Sequence, residues 1–253
     1  MRYHWFLLFG LQACAYVLQG QSKASPLIDF EAIRGDDPKV LGLINLEGAK
    51  GQSFKENNKD VYIKLDKDWK GTPCAHFHHK TGYRRAEYHS LKGNTTAGTT
   101  YYIAYNLALE QLPDGLILFQ WKEYKANNDK DQGANIPLAL ELRGGKLELT
   151  HTTKWKTSRQ VQWSTAVEKH QPHKIGLEIL AKADDGHVKL WFDGKPATFA
   201  TSKSTTLTGN MFPGQSDPKF GAYGGQDVVV DTYVYEVQIG TSKDAVDASY
   251  FGS

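Results

Sequence analysis

The sequence predicts an all-β protein, a sandwich of two antiparallel sheets, and three observations predict it. Clusters of Gly, Thr and Asn recur roughly every ten residues, the segments between them alternate apolar and polar side chains, and helical periodicity is scarce. In chain order the expected strands cover residues 27–33, 61–65, 83–90, 100–107 and 116–124, then 136–143, 146–150, 174–181, 188–192, 219–223 and 228–239. Two hairpin turns are marked. Arg143-Gly144-Gly145-Lys146 joins 136–143 to 146–150, and Asp184-Asp185-Gly186-His187 precedes 188–192. The best short helical turn is 108–112, ending at Pro113, and 127–133 reads as a polar loop flanking a groove.

Three of these strands turn chemically useful side chains to one face. In Lys219-Phe220-Gly221-Ala222-Tyr223, a period of two groups Lys219 with Tyr223 and sends Phe220 and Ala222 behind. In Ile117-Leu118-Phe119-Gln120-Trp121-Lys122, Gln120 and Lys122 face one way and Ile117, Phe119 and Trp121 the other. In Tyr83-Arg84-Arg85-Ala86-Glu87-Tyr88-His89, the residues Arg85, Glu87 and His89 align. A sheet face bearing cations, an amide and a phenol suits an acidic sugar polymer, because the cations meet its carboxylates and the phenol exchanges a proton.

With 253 residues, 40% of them hydrophobic and 12% aromatic, the chain is long and apolar enough for one large domain with a substantial core, taken as residues 21–253. A net charge of +2 is too mild for nucleic-acid binding through global charge, so any basic face is local. Arg2 followed by an apolar stretch from Trp5 to Leu18, with small residues at Gly20 and Ala24, reads as a secretory signal over 1–20, cleaved within 18–24. Gln12 and Gln19 keep that stretch shorter than the ~20 apolar residues of a membrane span. No second apolar run follows, so the mature chain is expected to be secreted, off the membrane and, by default, monomeric. Cys74 is then the lone cysteine of the mature chain, which rules out an internal disulfide and reads as a small buried hydrophobe rather than a nucleophile. Asn94-Thr95-Thr96 is an N-glycosylation sequon, placing a glycan on Asn94 of a secreted chain.

The pattern Lys219-x-x-x-Tyr223, with Arg85-x-Glu87 and Gln120-x-Lys122 upstream, resembles the jelly-roll polysaccharide lyases: the alginate lyases, the heparin lyase I group and, nearest, the fungal glucuronan lyases of polysaccharide lyase family 20. The paired segments 174–180 and 188–196 likewise resemble the hairpin of concanavalin-like jelly rolls. The resemblance spans about residues 27–240 and implies a β-jelly roll that cleaves a uronate polymer, β-1,4-glucuronan, by β-elimination in endo fashion. Alginate and heparin lyases carry Gln-x-His where this chain has Gln120-Trp121-Lys122, which argues against those two substrates.

The resemblance assigns Tyr223 to proton transfer, Gln120 to the substrate carboxylate, and His78 or His79, from the run His76-Phe77-His78-His79, to a base beside them. Arg85, Lys122 and Lys219 would bind the polymer's carboxylates, with Glu87 orienting a cation. No organic cofactor is expected. A structural calcium is implied by likeness to jelly-roll carbohydrate proteins, with Glu31 on the first strand and Asp231 on the last as its natural ligands. Three other readings stay open. A zinc cluster at the histidine run lacks a third and fourth ligand in the sequence. A lectin-like acidic-glycan-binding module would use Arg85, Lys219 and aromatics such as Trp155 or Trp163 without turnover. A glycoside hydrolase is disfavoured, since no Glu-x-Asp-x-x-Glu run supplies the paired carboxylates.

Overall fold

The computed structural model describes residues 24–252 as two antiparallel sheets packed face to face; the expected signal segment, 1–20, lies outside the described residues. The strands are β1 (Ile28–Glu31), β2 (Leu43–Glu47), β3 (Ser53–Phe54), β4 (Val61–Lys67), β5 (Pro73–His79), β6 (Arg85–His89), β7 (Thr100–Leu109), β8 (Ile117–Glu123) and β9 (Leu138–Arg143). They continue with β10 (Lys146–His151), β11 (Gln160–Ala166), β12 (His173–Leu180), β13 (Gly186–Phe192), β14 (Lys195–Pro196), β15 (Leu207–Gly209), β16 (Ser216–Tyr223) and β17 (Val230–Gly240). The front sheet runs β11-β10-β9-β8-β16-β6-β2-β3. The rear sheet runs β14-β13-β12-β7-β17-β5-β4, with β1 added on β17 and β15 on β13. This is the jelly-roll sandwich.

One apolar core joins the sheets. Phe77, Tyr105 and Val237 from the rear pack with Tyr88, Phe119, Trp121 and Phe220 from the front, all essentially without exposure. At about 25 cal/mol per Å² of apolar area removed from water, each such side chain contributes roughly 2–3 kcal/mol. The polar tips are satisfied, with Trp121 Nε1 donating to the Met211 carbonyl at 2.6 Å and the Tyr105 hydroxyl to Leu118 O at 3.2 Å. The Gly144-Gly145 turn closes β9 onto β10 with φ of +57° and +70°, the left-handed pair that a two-residue hairpin requires.

Two expectations need correcting. The helical turn at 108–112 is absent, because β7 continues to Leu109 and Ala108 and Leu109 pair with Tyr233 and Thr232 of β17. Pairing with β17 outweighs the weak local preference. Ile117 does not face the core with Phe119 and Trp121. The register of β8 against β9 shifts between Ile117 and Phe119, and that bulge turns Ile117 to the outer face beside Tyr223. Strands β2, β3, β5, β11, β14 and β15 lie outside the expected strands; the histidine run is part of β5, paired with β4 and β17.

Candidate active site

The chemistry-bearing side chains gather where β8, β16, β6 and β2 lie side by side in the front sheet. Lys219 sits between Gln120 and His89, Gly221 opposes Glu87, and Tyr223 sits between Ile117 and Arg85. Alternation on β16 buries Phe220 and Ala222 and leaves Lys219 and Tyr223 outward, as the sequence pattern requires.

Glu87 is the hub. Fully buried, it accepts from Gln120 Nε2 at 2.5 Å, while its other oxygen lies 3.2 Å from Arg85 Nε and 3.8 Å from Lys219 Nζ. The Arg85 guanidinium carbon stands 4.5 Å from the centre of the Tyr223 ring. With the Asn45 amide assigned so that its oxygen faces the cations, that oxygen accepts from Lys219 Nζ at 2.8 Å and Arg85 at 3.0 Å. Arg85, Gln120, Lys219 and Tyr223 therefore converge on one outer face, as their strand patterns predict. Tyr223 is half-buried, resting on Ile117, Ile136 and Ala139.

The electrostatics follow from crowding of cations. Burial lowers the pKa of Lys219, Glu87 opposes the shift, and Arg85 adds to it. Lys122 is pushed down to about 8 by burial and then by repulsion from Lys219 and Arg85, against the pull of Glu123 and Glu87. Its ammonium donates to Glu123 O at 2.9 Å, to Asn135 O at 3.1 Å and to the Asn135 side chain. Those acceptors fix Lys122 beside Gln120 as a positioned cation.

The histidines expected at this face lie elsewhere. β5 belongs to the rear sheet, so His78 points out of the back of the molecule and His79 is fully buried, its Nδ1 3.3 Å from the Lys80 carbonyl. The turn at 80–82 carries the chain from the rear sheet to β6, and strand parity does not survive that crossing. The histidine on the front face is His89. Its Nε2 lies 3.1 Å from Asp217, and its ring stacks on Tyr124 at 4.8 Å. Burial raises the pKa of Asp217, but hydrogen bonds from His89, Thr95, the Gly93 amide and Gln215 outweigh it and hold it below the usual range, a carboxylate that orients the imidazole. The sequence signal was available, since period two places Asp217 with Lys219 and His89 with Arg85.

Two recesses of about 320 Å³ share Arg159 as a lining residue. One also holds Trp155, Lys156, Asn135 and Ile136; the other Tyr223, Arg84, Gln226 and Asp227. Trp163, partly buried, packs against the core beside Phe192, 5.3 Å between ring centres. Asn94 is exposed in the turn after β6, while the neighbouring Thr95 hydroxyl is buried against Ser216 and Asp217.

The calcium pair does not form. Glu31 stands opposite Glu236 of β17, whereas Asp231 stands opposite His78 of β5, five residues and roughly 17 Å further along β17. Glu31 instead pairs with Arg34 at 3.3 Å, and Asp231 faces imidazole nitrogens, donors that calcium does not favour. Cys74 is buried, and burial followed by Asp68 and Asp66 pushes its thiol up to about 12, so it is inert.

Comparison with known proteins agrees with this architecture. An endo-β-1,4-glucuronan lyase from the fungus Trichoderma reesei superposes with a TM-score of 0.53 at 16% identity, over 79% of this chain and 95% of that one. An alginate lyase from Corynebacterium sp. gives 0.52 at 14% identity, over 81% and 99%. Alginate lyase A1-II′, of polysaccharide lyase family 7, gives 0.54 at 13% identity, over 79% and 93%. At these identities the likeness is one of fold. A search of curated proteins finds no match. The model of the polysaccharide lyase family matches residues 41–240, which include β2 through β17 and with them every side chain of the Glu87 cluster, and the chain belongs to that family.

Proposed function

We propose that the chain is a secreted endo-acting lyase that cleaves a β-1,4-linked polyglucuronate by β-elimination, with Tyr223 as its proton-transferring group. One observation carries the reading: Tyr223, Arg85, Gln120 and Lys219 meet around Glu87 on one face of one sheet. Elimination requires the uronate carboxylate to be neutralised, a proton to leave C5 and a proton to reach O4. Arg85, Lys122 and Lys219 supply the positive charge, and Gln120, oriented by Glu87, has a second amide hydrogen for the carboxylate.

In a β-1,4-linked D-glucuronate the C5 hydrogen and O4 lie on the same side of the ring, so one group can serve both. Tyr223 in its phenolate form takes the C5 proton, the C–H electrons form the C4=C5 bond, and the C4–O4 bond breaks. The phenol then returns the proton to O4. His89 lies opposite Lys219, its imidazole held by Asp217, and serves as a further substrate-contacting group. Lys122 in place of a histidine supports glucuronan over alginate or heparin. An N-glycan on exposed Asn94 and monomeric secretion belong to the same proposal.

The test is incubation with glucuronan, alginate and heparin while ultraviolet absorbance of the unsaturated product is followed. Absorbance rising with glucuronan alone supports the reading. Binding with no new chromophore favours a glycan-binding module, for which exposed Tyr124 and the recess at Trp155 would serve as sugar platforms. New reducing ends without the chromophore would mean hydrolysis.

A further inference from the structure

On the back of the molecule, away from the lyase face, three metal-binding side chains point outward from two paired strands. His76 and His78 are two apart on β5, and Asp231 of β17 stands opposite His78. Their intervening neighbours, Ala75, Phe77 and Thr232, are buried, so the three share the outer surface of the rear sheet. His76 Nε2 and His78 Nδ1 both approach the same Asp231 oxygen, Oδ1, at 2.7 Å, and the three donor atoms lie within 4.8 Å of one another.

We propose that His76, His78 and Asp231 bind a divalent transition-metal ion of the zinc class, a site separate from the lyase centre. The donor set of two imidazole nitrogens and one carboxylate oxygen suits zinc and its neighbours and not calcium or magnesium. An ion placed between the three atoms needs only a slight spreading of the 2.7 Å contacts to reach bonds of about 2.0–2.2 Å.

The surroundings are those of a supported site. Asp66 Oδ2 lies 3.6 Å from His76 Nδ1, the ring nitrogen remote from the cluster, where a carboxylate fixes the tautomer that frees Nε2 for a metal. Gln111 accepts from the Asp231 amide at 2.8 Å and donates to its Oδ2 at 3.3 Å, leaving Oδ1 turned to the imidazoles. Tyr62 stacks on His78 at 4.6 Å and Tyr233 lies 5.1 Å from His76, which restricts both rings. The ligands are partly exposed, so an ion has an open approach and positions left for water or a further ligand. Bound there, it would clamp β5 to β17.

The test is calorimetric titration of the tag-free, chelator-stripped chain with zinc chloride. One ion per chain at micromolar affinity or tighter is expected, with no heat from calcium chloride. His78→Gln and Asp231→Asn should each weaken binding at least tenfold. Zinc should raise the thermal midpoint of the parent and not of a folded variant. Cobalt(II) reads the ligands without any substitution, even where a variant does not fold: intense visible bands of a four- or five-coordinate nitrogen-and-oxygen site support the proposal. Weak octahedral bands, no saturable binding by the parent, or affinity unchanged in the folded His76→Gln, His78→Gln double variant would overturn it.

Discussion

The Arg85 guanidinium lies against the face of the Tyr223 ring, its carbon 4.5 Å from the ring centre, while its Nε meets the buried Glu87 carboxylate at 3.2 Å. The phenol is thus held by a cation that is itself held by an anion below the surface. Gln120 and Lys219 attach to the same carboxylate. One buried acid therefore sets the positions of the side chains proposed to meet the substrate.

Glu87→Ala should unfold the protein more readily by about 3 kcal/mol, the low end of the range for breaking a buried ion pair, because Lys219 loses its carboxylate while Arg85 keeps Glu47 at 3.4 Å. Glu87→Gln keeps the shape and an acceptor for Gln120 and should cost less. Urea unfolding of the two variants checks the order. Equal midpoints would show that the carboxylate charge is not what holds the cluster.

Gly221→Ala should disrupt the site from behind. Gly221 opposes Glu87 with φ of +135°, and an added Cβ would stand 2.3 Å from the Ala86 carbonyl oxygen and 2.7 Å from the Phe77 ring. Backbone strain and overpacking together should cost about 3 kcal/mol. The register of β16 against β8 shifts between Phe220 and Tyr223, so the change should also displace the phenol and lower activity in whatever protein remains folded.

The strands of this site are legible in the sequence where a regular period of two persists: Lys219 with Tyr223, Arg85 with Glu87 and His89, and the Gly144-Gly145 turn all stand where the pattern places them. The bulge that turns Ile117 outward carries no glycine or proline to announce it. His78 and His79 precede Arg85 by only a few residues, yet the turn at 80–82 takes the chain from one sheet to the other, and no local pattern encodes which sheet a strand joins. The period of two places His89 with Arg85 and Asp217 with Lys219, but the two residues are 128 apart in sequence, and the pairing of β6 with β16 is what brings them together. The same holds for Asp231, the third member of the rear cluster.

Substrate affinity should weaken as pH rises through about 8, where Lys122 loses its charge. The folded-state pKa lies below the ordinary 10.5, so the unfolded chain binds more protons between these values and stability contributed by this group rises with pH there. Binding and stability should thus move in opposite directions across that window. Lys122→Arg should carry the KM limb upward in pH, and Lys122→Met should remove it while raising KM at pH 7. A pH series of KM alongside thermal midpoints decides it.

On the acid side, stability should fall as pH drops through 6.5 and again in the carboxylate range. Burial, assisted by the charge of His78, holds the pKa of His79 below 6.5, against hydrogen bonds to the Lys80 and Gly224 backbone and the charge of Asp231. The unfolded chain therefore takes up a proton that the folded chain refuses, and stability is lost as pH falls. Asp217, held below its ordinary 3.8, contributes stability above that value and loses it further down. Urea midpoints between pH 7 and 3 should show both declines, and His79→Gln should flatten the first.

The most direct measurement is the turnover of glucuronan by Tyr223→Phe, followed by the absorbance of unsaturated ends, with binding of the polymer measured on the same preparation. The variant should still bind and its rate should fall about a hundred- to ten-thousand-fold, the worth of a positioned proton-transfer group. Elimination within tenfold of the parent would contradict Tyr223 as the group that moves the proton.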